Sequence, residues 1–114
     1  MAWGAPPWAN KLVRDKVPDL IRESGRSSRV SSLSAPAYRR ALIDKLREEV
    51  DELAAAQTTE SLLQEAADVL EVLTAIALEH GVALATIVDI ARVKRDERGG
   101  FDLRLWLDGF DPQP

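Results

Sequence analysis

Apolar positions from Ala37 to about Ala56 recur at three- and four-residue intervals, the spacing of one buried face on a helix. Ser34 is placed to cap that helix, and Pro36 suits its first turn. "QTT" interrupts the pattern, and Thr59 is read as the cap of a second helix running to about Glu79. Gly81 stops it, and a third helix is predicted from about Ala83 to Arg98, ended by Gly99-Gly100. Upstream, "NKLVRDKVPDLIRESG" predicts a short helix with Pro18 in its first turn and Gly25 after its end. "RSSRVSSLS" reads as a loop, and "FDLRLWL" alternates as a short strand or a packed extended tail would. Residues 1–10 read as an irregular arm whose Trp3 and Trp8 anchor it to the body, and residues 101–114 as a C-terminal tail. The expected fold is all-α and a single domain over 1–114: a helical hairpin plus a third helix, with irregular or extended ends.

Eight acidic residues lie within "KLREEVDELAAAQTTESLLQEAADVLE", and helical geometry sorts them. With Leu42 at zero on a wheel of about 100° per residue, Leu42, Ile43, Leu46, Val50 and Leu53 span roughly 100°. Glu49 falls at about 340° and Glu52 at about 280°, beside that stripe, while Asp51 faces away. On the second helix Glu65 falls between Val72 and Ile76, inside the stripe, with Asp68 one step out. Glu60 and Glu71 read as surface charges. A carboxylate on a buried stripe must be protonated, paired or metal-bound, because stripping its water costs several kcal/mol. Packed antiparallel, two such helices bring both i, i+3 acid pairs together, and an all-carboxylate set suits a hard cation, Mg2+ or Mn2+. The competing reading is two solvated helices laced by pairs such as Lys45–Glu49 and Arg47–Asp51. A ferritin-like dimetal site needs Glu-x-x-His; the one histidine, His80, follows Ala77 by three residues and reads as a helix-end residue.

Composition narrows the picture further. A net charge of −4 disfavours binding to a nucleic-acid polymer but leaves room for a nucleotide neutralised by local cations. The absence of cysteine excludes disulfides, thiol catalysis and zinc–thiolate sites. "MAWGAPPWAN" lacks a basic start and an apolar run, so a signal peptide is not expected, and Val72 to Leu78 is too short to span a bilayer. The resulting expectation is a cytoplasmic protein without membrane partners.

Glu48-Glu49-x-x-Glu52, then twelve residues, then Glu65-x-x-Asp68 resembles the EExxE…ExxD signature of the all-α, MazG-like nucleoside triphosphate pyrophosphohydrolases. "NKLVRDKVPDLI" and "KRDERGGF" resemble a small single-domain branch of that superfamily related to phosphoribosyl-ATP pyrophosphohydrolase, described as house-cleaning enzymes for noncanonical nucleotides. The likeness runs from Asn10 to about Phe101, with a short spacer and an additional Trp-bearing arm. It implies Mg2+-dependent cleavage of a nucleoside triphosphate between its α and β phosphates, giving a monophosphate and pyrophosphate. It also implies that Glu49, Glu52, Glu65 and Asp68 hold the metal, with Glu48 bridging a second ion or orienting the attacking water.

Four cations are candidates for the substrate phosphates. Lys94 and Arg98 lie one helical turn apart and resemble the family's cationic pair, though cations at a helix C-terminus also suit its dipole. Arg14 and Lys16 share one side of an extended segment and are equally placed to pair with Asp15, Asp19 or Glu23. The hairpin's small residues (Ala54–Ala56, Ala66, Ala67, Ala75, Ala77) permit close helix contacts, and a chain of 114 residues leaves apolar face uncovered. A homodimer forming a multi-helix bundle is therefore expected, and the resemblance allows neighbouring chains to share a site. The readings that compete on function are phosphoribosyl-ATP pyrophosphohydrolase and a non-catalytic helical dimerisation or partner-binding module.

Overall fold

A computed structural model describes residues 10–112. The arm bearing Trp3 and Trp8 lies outside the described residues. Four helices are present: α1 (Val17–Glu23), α2 (Ala35–Ala55), α3 (Thr59–Glu79) and α4 (Leu84–Arg98). No strand occurs among the described residues, so the fold is all-α.

Local chemistry accounts for where the helices begin and end. Ser34 adopts an extended conformation and its hydroxyl accepts from the Ala37 backbone N–H at 3.3 Å, with a proline in the first turn of α2. The second cap is Thr58 rather than Thr59: its hydroxyl accepts from the Ser61 N–H at 3.0 Å, and Thr59 becomes the first helical residue. Two adjacent threonines offer the same hydroxyl, and only the extended backbone of Thr58 aims it into the helix. At the far end of α3, Gly81 takes φ +75°. There Val82 N–H donates to Ala77 O and Gly81 N–H to Leu78 O, the paired bonds of a Schellman stop.

α2 and α3 form the hairpin, joined by the three residues 56–58. Their antiparallel order is pinned at the open end by Arg39 of α2 and Glu79 of α3, 3.2 Å apart. The seam buries Leu42, Val72, Ala77 and one charged residue, Glu49. α4 bends away from α3 by 107°. Residues 101–110 are neither a strand nor packed: they are exposed throughout, because no sheet edge exists among the described residues for them to join. The segment holding Arg14 and Lys16 is likewise irregular, turning at Asp15 and Lys16 into α1. No single helix among the described residues is long and apolar enough to cross a membrane.

Candidate metal centre

The hairpin brings four carboxylates to one place. Glu49 and Glu52 from α2 and Glu65 and Asp68 from α3 each offer an oxygen, and all four oxygens lie within 4.8 Å of one another. The i, i+3 spacing within each helix stacks each pair on one face, and the antiparallel seam sets the faces together. Glu49 is buried, Glu65 and Asp68 are half-buried, and Glu52 stands at the exposed rim. Glu48 is half-buried beside them.

Two oxygens set this cluster apart from a fully solvated salt-bridge lattice. Glu49 Oε2 and Glu65 Oε2 are both buried and have no hydrogen-bond partner. A buried carboxylate oxygen without a partner is costly, so the cluster is under-compensated as it stands. Lys45 is the main internal cation, 3.3 Å from Glu49 and 3.7 Å from Glu48. Burial pushes the Glu49 carboxyl above its ordinary value; Lys45 opposes that shift, and the neighbouring Glu52 reinforces it. A hard divalent cation would satisfy both orphan oxygens and relieve the repulsion among four acids, so the donor set fits one.

The sequence candidates distribute unevenly around this cluster. Arg14 reaches it, its guanidinium donating to Asp68 at 2.7 Å across 54 positions of sequence. Lys16 lines the same groove as Arg14, Glu49 and Asp68. Lys94 and Arg98 are exposed on the second half of α4 and line neither groove beside the carboxylates. Asp51, Glu60 and Glu71 are exposed. Arg47 pairs with Asp44 at 3.4 Å instead of Asp51.

Lys45, expected as one half of a surface pair with Glu49, sits half-buried between two acids of the motif. Its i, i+3 and i, i+4 spacing to Glu48 and Glu49 is the signal that carries this. No sequence pattern announces the groove of about 670 Å³ that Glu49 and Asp68 line. Its walls include Leu12, Val13, Tyr38, Leu42, Val72 and Ala75. A hollow that combines apolar walls with charged side chains such as these is a usual form of small-molecule site.

A family model for phosphoribosyl-ATP pyrophosphohydrolase matches residues 15–95, which include all four carboxylates of the cluster. The chain belongs to that family. Membership places it among the pyrophosphohydrolases, all-α relatives of the MazG-like enzymes, and the acidic cluster falls within the matched span. An uncharacterized protein of Mycolicibacterium smegmatis is 50% identical over 54 residues, 47% of this chain, and the match spans 55% of that relative's length. No solved structure matches.

Proposed function

We propose that this family member is a divalent-metal-dependent pyrophosphohydrolase that splits a nucleoside triphosphate between its α and β phosphates, releasing a monophosphate and pyrophosphate. The observation that carries the reading is the quartet Glu49, Glu52, Glu65 and Asp68, converging within 4.8 Å with two buried oxygens left unpaired. These four residues would hold Mg2+, with Mn2+ as a substitute, and the ion would supply charge neutralisation of the phosphates and acidify a water.

The remaining chemistry belongs to the chain's own groups. Glu48, half-buried one residue before the first ligand, is placed to orient a water or accept its proton. Arg14 and Lys16 line the groove at the carboxylates and supply positive charge for the phosphates. Arg14 is held at 60% side-chain exposure by Asp68, so it is free to exchange that carboxylate for phosphate oxygens. The apolar walls and Tyr38 would receive the nucleoside. Lys94 and Arg98 act only if a second copy presents them.

A second substrate, phosphoribosyl-ATP, has a specific observation in its favour: it is the one the matching family model is described by. Both substrates carry the same α–β anhydride, so the quartet serves either. A cytoplasmic nucleotide-pool house-cleaning role fits the first substrate class. The functional unit is proposed to be a homodimer, since Ile43 and Val50 of α2 and Leu63 and Leu70 of α3 leave one side of the hairpin 41–59% exposed. The test is a panel of ribo- and deoxyribonucleoside triphosphates plus phosphoribosyl-ATP, assayed for pyrophosphate release with Mg2+ and with Mn2+. Pyrophosphate from at least one compound is expected. Orthophosphate as the only product overturns the bond assignment. No turnover, together with no rise in melting temperature on adding metal, favours a non-catalytic binding module instead.

A further inference from the structure

Residues 101–110, "FDLRLWLDGF", hold six large apolar side chains in ten positions. Phe101, Leu103, Leu105, Trp106, Leu107 and Phe110 are 73–97% exposed. Arg104 N–H donates to Phe101 O in a local turn, and residues 104–110 form no regular secondary structure. Such a surface in water is unfavourable by about 25 cal/mol for each Å² that could be buried, so something covers it. We infer that this segment is an intersubunit arm that grips the body of a second copy of the chain.

Three observations select a second copy over the arm's own body. First, position: beyond α4, which bends 107° from α3 and ends at Gly99 with φ +83°, the arm's large apolar side chains stay 73–97% exposed, so they are not packed on their own hairpin. Second, area: the chain exposes 10312 Å², whereas a compact monomer of 12.6 kDa exposes about 6,200 Å². Granting the eleven residues outside the described range the area of unfolded chain, about 1,750 Å², and shrinking the compact reference to match, leaves about 2,800 Å² in excess. Removed from each of two protomers, that is about 5,600 Å² in total, at the upper end of the range for obligate homodimers. Third, charge: Asp102, Asp108 and Asp111 outnumber Arg104 in and beside the arm, and the whole chain carries −4, which repels an anionic membrane surface. In a two-fold dimer the exchange is reciprocal, each arm lying on the other copy.

The inference rests on the proposed homodimer and not on the proposed reaction. Because the chain has no cysteine and Trp106 sits mid-arm, a photo-reactive benzoylphenylalanine in place of Trp106 reports its neighbours cleanly. Isotopically heavy and light protein are mixed, allowed to exchange subunits, and irradiated. Linked peptides pairing heavy with light chains are expected. In parallel, Leu103→Asp with Leu107→Asp is expected to raise the dimer dissociation constant at least ~30-fold while helical circular dichroism persists. Links confined within single chains overturn the arm but leave the dimer standing. An unchanged dissociation constant for the double variant does the same. A monomer at 100 µM, on the order of the highest working concentration, overturns both arm and dimer.

Discussion

Replacing Glu49 by Gln separates what the buried carboxylate does for the metal-free fold from what it does for a ligand. Glu49 is only 6% exposed, and its Oε2 has no partner. Stripping water from a buried carboxylate charge costs several kcal/mol, and one cation at 3.3 Å that is shared with Glu48 offsets only part of it. Neutralising the side chain while keeping its shape should therefore stabilise the metal-free protein by about 1 kcal/mol, raising its melting temperature by roughly 4 °C. The direction has a pH signature. Burial raises the Glu49 carboxyl, so between its unfolded and folded values the folded chain holds the extra proton. Glu49's contribution therefore lowers the stability of the metal-free protein as pH rises through that window, and Glu49→Gln removes this slope. Added metal should act oppositely. At a concentration of 100 Kd it stabilises wild type by about 2.7 kcal/mol, and the variant by far less. Thermal melts in chelator and in Mg2+, between pH 4 and 8, read all of this. A variant that melts below wild type in chelator, yet responds to Mg2+ as wild type does, refutes the argument.

Other expectations follow from the same geometry. Thr58→Ala should cost about 1 kcal/mol in chemical denaturation while Thr59→Ala costs less, since the Thr58 hydroxyl receives the Ser61 N–H. Arg14→Ala breaks a mostly exposed pair with Asp68, so its stability should change by less than about 1 kcal/mol. Its KM for the triphosphate should rise roughly tenfold, one hydrogen-bonded charge lost from the substrate; steady-state kinetics on the substrate found active distinguishes the two effects. Asp51→Ala and Glu60→Ala together should leave kcat within about twofold, their side chains being exposed and outside the groove that Glu71 helps to line.

The helices and their order were legible because the governing signals are local. Ser34 with Pro36, and Gly81 after the last apolar position of α3, each fix an end with chemistry spanning a few residues. The placing of Glu49 and Glu65 on the hairpin seam was legible too, since a wheel needs only residue spacing. What was not legible depends on segments far apart in sequence. The contact of Arg14 with Asp68 is set by how an irregular segment lies across α3, and no periodicity encodes that. The wheel also drew Ile43 and Val50 into the buried arc of α2, whereas the structure leaves them 41% and 45% exposed. One partner helix covers less than the roughly 100° that the apolar arc spans, so the rest of the stripe stays bare in a single chain. "FDLRLWL" misled for a related reason: alternation states that one side wants burial, without saying which chain supplies the cover.

The central claim is that four carboxylates from two helices form one metal centre for anhydride hydrolysis. Glu65→Gln tests it most directly, because Glu65 lies on the seam and its Oε2 is one of the two unpaired buried oxygens. Phosphorus NMR of a triphosphate incubated with Mg2+ and each protein follows monophosphate and pyrophosphate together. Both products are expected from wild type, and a rate at least about a hundredfold lower from a variant whose helical content and oligomeric mass match wild type. Equal rates from the two proteins would contradict it.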